Sequence, residues 1–223
     1  MSRPNILYVG PSWAARSFDT PNGQETEYTN LARELSLDVI DLSKLGSCNS
    51  YMTQRIQDYQ KPIDGIIWIY CEPILDLRRD RDLDDFLQDE NCWQTRQKVN
   101  ADTLDSISSL GIPVALIGGH SDIEDCNHKN ITLVHASWQK FLANIAKVDE
   151  IQGWGADIAH REIIQRNVKR PAAALVDRIV DTMAVWNRME LYGVFCYCHP
   201  TRKGTELFAK EISSTIKFWI NNL

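Results

Sequence analysis

The sequence predicts an α/β protein, a three-layer α/β/α sandwich built on a five-stranded parallel sheet. Three observations lead there. Five short β-prone runs alternate with stretches of helical period. The most apolar run, residues 63–71, is apolar at consecutive positions from Ile66 to Cys71. That pattern marks a strand covered on both faces. Breaks made of Gly, Pro and small polar residues follow the strands, and right-handed crossovers put all five strand ends on one rim.

Each element has its own signal. Asn5–Val9 is the first strand, ended by Gly10 and Pro11. Residues 10–23 form a polar loop that holds Ser12, Trp13, Arg16 and Asp19. A helical pattern over 26–35 precedes the second strand, Leu37–Asp41. The loop Leu45-Gly46-Ser47-Cys48-Asn49-Ser50 leads into a helix over 51–59. Such a turn either leaves backbone N–H groups for an anion or is capped by Asn49 or Ser50. The third strand, Ile63–Cys71, is ended by Glu72-Pro73. Mixed charges over 76–90 read as a solvated loop or helix.

A helix over 93–110 is closed by Gly111 at C′. Pro113–Ile117 is the fourth strand, and Gly118-Gly119-His120-Ser121-Asp122 brings His120 to the same rim. Ile131–His135 is the fifth strand. The helix after it, 137–146, carries Trp138, Phe141, Leu142 and Ile145 as a packing stripe. Residues 147–170 read as irregular, with Gly153-Trp154-Gly155 a turn. A long amphipathic helix over 172–191, a loop holding His199 and a helix over 205–221 complete the chain. No repeat, low-complexity segment or linker interrupts it, so residues 1–223 read as one domain.

Composition excludes several classes. The formal net charge of -6 gives no nonspecific attraction to nucleic acid or an anionic membrane. No apolar run reaches the roughly 18–20 residues of a membrane span, and no secretory signal is visible at the amino end. Six scattered cysteines, several in apolar runs, predict reduced thiols in a cytoplasmic or virus-encoded (virion) protein. Cys126-Asn127-His128 and Cys196-Tyr197-Cys198-His199 lack the spacing of a common zinc motif, so no metal is expected.

The chemistry-bearing residues lie at the two ends of the chain. Ser12 follows the carboxyl end of the first strand, where ligands bind in an open parallel sheet. A serine hydroxyl is a weak nucleophile until a base takes its proton, and His199 is the natural base.

Gly10-Pro11-Ser12, Gly46 after the second strand, and His199-Pro200 followed by Gly204 and a closing helix together resemble the SGNH (GDSL-type) hydrolase family. The resemblance implies a flavodoxin-like fold and an esterase acting on acyl or acetyl esters, O-acetylated carbohydrate among them. It makes Ser12 the nucleophile and His199 the base. It assigns the oxyanion to the N–H groups of Ser12 and Gly46, with Cys71 where the family has a side-chain amide. The family's acid, three residues before its histidine, is replaced by Cys196. Glu72 and Asp122 are then the candidates to orient the imidazole. The expected partner is a small acyl ester or a glycan, with no cofactor. The first loop lacks a phosphate cradle, which argues against flavin or nucleotide. The alternative is a catalytically impaired relative serving as a glycan-binding module or a structural subunit that assembles with other proteins, as in a virion. Trp13, Trp138 and Trp154 would then be the stacking platforms.

Overall fold

A computed structural model describes residues 3–15, 29–77, 82–119, 122–123, 126–148, 156–196 and 199–223. The central sheet is five-stranded and all parallel, in the order β2-β1-β3-β4-β5. Its strands are β1 (Ile6–Val9), β2 (Ile40–Asp41), β3 (Gly65–Tyr70), β4 (Val114–Gly118) and β5 (Ile131–His135). Helices flank it, giving the three-layer sandwich that the alternating pattern predicts.

The pleat explains the continuous apolar runs. Tyr8, Ile67, Ile69, Ala115 and Ile117 enter one core, with α1 (Ser12–Ala15), α2 (Leu31–Glu34), α6 (Trp138–Ile145), α8 (Ala173–Leu191) and α9 (Arg202–Asn221). Leu7, Val9, Ile66, Trp68, Tyr70, Val114 and Leu116 enter the other, with α3 (Asn49–Gln57) and α5 (Cys92–Ser108). Successive side chains point to opposite faces, and both faces are covered. A smaller cluster joins Ile74, Leu75, Phe86 and Leu87 to α7 (Ala156–Arg166) and the first turns of α8.

Several boundaries differ from the sequence reading. The loop after β1 contains the short helix α1. The charged stretch 76–90 contains α4 (Asp82–Gln88). Residues 147–170, read as irregular, contain α7, which packs along α8 through buried Ala159. In the sequence it follows Gly153-Trp154-Gly155, and its many polar residues hide the period. Glu162 is buried there because it accepts from Arg166 one turn on, at 3.2 Å. α5 ends at Ser108, so Gly111, at φ +68, stands beyond C′.

The stretch around His199, read as a loop, is an antiparallel hairpin of β6 (Phe195–Cys196) and β7 (His199–Pro200). α9 starts at Arg202, three residues earlier than the pattern suggests, because Thr201 caps it by accepting from Gly204 N–H at 3.1 Å. Gly204 is required by packing. A Cβ there would sit 2.3 Å from the Val194 carbonyl oxygen, so only glycine lets the first turn of α9 lie against the hairpin.

His135 closes β5 among aromatic rings, edge-on to Phe208 at 5.1 Å, and its Nδ1 accepts from Ser137 N–H at 3.1 Å. Burial pushes its pKa below the usual histidine value, partly offset by Glu211. The unfolded chain therefore takes up this proton first as pH falls, and the His135 contribution to stability is lost on acidification from about pH 6.5 downward. Denaturation midpoints of wild type and His135→Gln between pH 7.5 and 5 test this. The variant should show the shallower decline.

Candidate functional site

The site is assembled from three strand ends and the terminal hairpin. Ser12 is the first residue of α1, directly after β1 and the Gly10-Pro11 break. The Pro11 carbonyl accepts from Ala14 and Ala15 N–H at 3.0 and 3.1 Å, and the buried Tyr8 hydroxyl donates to the Ala14 carbonyl at 3.1 Å. The sharp reversal depends on Gly10, at φ +153. A Cβ there would meet Ala14 Cβ at 2.7 Å and Ile69 Cβ and carbonyl oxygen at 2.8 Å. Gly10→Ala should therefore lower stability by about 2 kcal/mol, as overpacking does, read from urea denaturation.

Trp13 anchors this turn. It is buried, edge-on to Trp138 at 5.5 Å and to Phe195 at 5.9 Å. Phe195 belongs to β6, so the ring cluster that seats the residue after Ser12 also seats the hairpin that carries His199. Thr201 fixes the hairpin's far end, donating its N–H to the Val194 carbonyl at 3.1 Å and its Oγ1 to the Gly193 carbonyl at 2.8 Å. The outcome is a hydrogen bond between Ser12 Oγ and His199 Nε2 of 2.7 Å, across 187 residues of chain.

The Gly46 turn is stitched to the same place. The Gly10 carbonyl accepts from Lys44 N–H at 3.0 Å and from Ser47 Oγ at 3.3 Å. Gly46 adopts φ +67 and is exposed. Beside it a cleft of about 140 Å³ is lined by Lys44, Gly46, Ser47, Cys48, Tyr51 and Leu75. Lys44 Nζ donates to the Tyr51 hydroxyl at 2.9 Å, and this hydrogen bond lowers the Tyr51 pKa.

The capping reading of the helix start after Gly46 does not fit. Asn49 and Ser50 lie within α3, whose N-cap is Cys48. The anion at the helix start is the protein's own: Asp76 accepts from Ser50 N–H at 2.9 Å and from Asn49 Nδ2 at 3.3 Å. Asn49 is a positioning residue that sequence reasoning missed. Its Oδ1 accepts from Cys71 N–H and its Nδ2 donates to the Cys71 carbonyl, both at 3.0 Å. Trp68 Nε1 donates to the same Oδ1 at 3.3 Å. This buried amide ties the end of β3 to the Gly46 turn. The only local signal was a small polar residue before a helix, which an N-cap gives equally well.

Other expected residues make contacts of their own. The Cys71 thiol donates to the Ser47 carbonyl at 3.4 Å, and burial raises its pKa well above the usual thiol value. Cys71 thus helps hold the turn. Glu72, a candidate orienting acid, is 0% exposed and forms a two-point ion pair with buried Arg96, at 2.9 Å to Nε and 3.2 Å to Nη2. Asp122 lies 3.9 Å from Lys140 Nζ. Cys196, which replaces the expected acid, is buried opposite His199 in the hairpin. Trp13 and Trp138 are buried, so neither offers a face for stacking on a sugar or a partner. His120 and Trp154 fall outside the described residues.

No disulfide links Cys48, Cys71, Cys92, Cys126 or Cys196. Among the described residues no group of three His, Cys, Asp or Glu side chains converges as metal ligands, and no helix is long and apolar enough to cross a membrane. A hydroxyl hydrogen-bonded to an imidazole nitrogen can pass its proton to that nitrogen, provided Nε2 is the unprotonated one. Neither a protein-family model nor a curated protein matches the chain.

Proposed function

We propose that the chain is a serine ester hydrolase of the SGNH type, acting on a small acyl ester such as an O-acetyl group on carbohydrate. The observation that supports this is the 2.7 Å contact between Ser12 Oγ and His199 Nε2 at the carboxyl rim of the sheet. In this reading Ser12 Oγ attacks the acyl carbon while His199 Nε2 takes the hydroxyl proton. The bond from the acyl carbon to the alcohol oxygen then breaks, and the imidazolium returns the proton to the leaving alcohol. Water, deprotonated by the same nitrogen, then attacks the acyl carbon; the bond to Ser12 Oγ breaks, and the imidazolium returns the proton to that oxygen as the acid leaves. The oxyanion is met by the N–H groups of Ser12 and Gly46, which make no hydrogen bond to the described residues. Fixed donors aimed at developing charge are a large part of such catalysis.

Hydrolysis of p-nitrophenyl acetate by wild type, Ser12→Ala and His199→Gln tests the reading. Wild type should exceed both variants. Three equal background rates would end it. One observation favours a second reading, the impaired relative with a structural role: buried Cys196 faces His199 at the family's acid position. An assembly partner and a virion setting belong to that reading; a cytoplasmic setting suits either.

A further inference from the structure

Helix α8 presents two faces. Leu175, Ile179, Thr182, Val185, Trp186 and Met189 are buried against the rest of the fold. Val176, Val180, Met183 and Leu191 are exposed, Val180 at 63% and Leu191 at 87%. At about 100° per residue, Ala173, Val176, Val180, Met183, Asn187 and Leu191 fall within an arc of about 80°, centred roughly 130° from the centre of the buried face. They form one stripe along the helix, with the 3-4 spacing of a seam that pairs helices and an Asn at one seam position. Scattered exposed apolar residues need no explanation, but a contiguous stripe does.

The charges beside the stripe select the occupant. Asp177, Asp181 and Arg188 are exposed and lie on the same flank. When two identical helices pair antiparallel about a two-fold axis, the same flank of each lies beside the other, in reversed order. With the axis between Thr182 and Met183, Asp177 of each copy stands opposite Arg188 of the other. The stripe meets itself, Val180 near its centre. Parallel pairing would instead set that flank against the side of Ile179, Trp186 and Glu190, which offers Asp177 and Asp181 no basic partner.

We propose that α8 is a self-association surface on which a second copy of this chain docks antiparallel, closed by two reciprocal Asp177–Arg188 pairs. A single helix pair buries less than the roughly 1,200 Å² typical of stable complexes, so the association is weak, with a dissociation constant on the order of tens of micromolar. It is independent of any chemistry at Ser12.

Sedimentation velocity of the full chain, from about 1 to 200 µM to bracket that constant, tests this. A concentration-dependent shift from monomer to dimer is expected. Val180→Asp should abolish it without altering the circular dichroism spectrum or melting temperature. Asp177→Arg and Arg188→Asp should each weaken it about tenfold, and the two together should restore it. Under copper–phenanthroline oxidation, Met183→Cys should form a covalent dimer beyond that of the unaltered chain, and Val176→Cys should not. A monomer throughout the range, a dimer indifferent to Val180→Asp, no rescue by the double swap, or cross-linking at Val176→Cys would each overturn the proposal.

Discussion

Replacing Ser12 with alanine should lower kcat for p-nitrophenyl acetate by about a hundredfold, leaving KM and the melting temperature unchanged. The size follows from Cys196 standing at the position where the resemblance places the acid. In a complete serine triad, loss of the nucleophile costs about 2 × 10⁶ in kcat, while loss of the acid alone costs about 3 × 10⁴. A Ser-His pair working without that acid therefore retains a factor of roughly 10² over its own knock-out. Cys196 stands where the resemblance expects the acid, so the smaller factor applies. His199→Gln should cost the same, and Ser12→Ala/His199→Gln no more than either alone, because the pair acts as a unit.

The second large effect is on stability. Arg96→Met should destabilise the fold by about 3–5 kcal/mol, measured by urea denaturation at pH 7. Glu72 is wholly buried and both of its oxygens accept from Arg96. Removing the guanidinium takes the two-point Arg96 counter-charge from a carboxylate in a low-dielectric interior. The methionine fills the volume, so the loss reports charge rather than a cavity. Glu72→Gln with Arg96→Met should recover most of it, because a neutral amide costs less to bury than an ion. A difference below about 1 kcal/mol for Arg96→Met, the value of an exposed pair, would show that water reaches this ion pair. Arg96 also lies over the Trp93 ring at 5.0 Å, so Arg96→Lys should not substitute fully: the ammonium cannot make the two-point contact.

The parts of the fold that were legible obey local rules. β3 announced itself because a strand covered on both faces must be apolar at every position, as Ile66 to Tyr70 are. β1 and its Gly-Pro break placed Ser12 on the rim. The hairpin of β6 and β7 was not legible, because two-residue strands have no measurable period; their pairing comes from Thr201 and Val194. α7 was hidden for a related reason: its burial is shared with α8, and its polar Glu162 is made tolerable by Arg166.

The candidate site divides the same way. Ser12 and His199 could be named from residue type and position, because a strand end and a base before a closing helix are local features. Tertiary packing decided their neighbours. Trp138 reads as core from its packing stripe, but its partner Trp13, whose loop gives no such period, is shown only by the fold to hold α1 against the hairpin. Glu72, acidic and at the rim, was claimed by an arginine 24 residues away. Asn49, whose local context suggests a cap, became the link between β3 and the Gly46 turn.

By itself, the order of apolar runs and breaks determined the α/β sandwich and which rim carries the serine. Hydrophobic periodicity is a property of neighbouring residues, and the chain carries it in full. Which carboxylates are matched, which rings are buried and what braces the turns depend on groups brought together from distant segments, and only folding selects those partners.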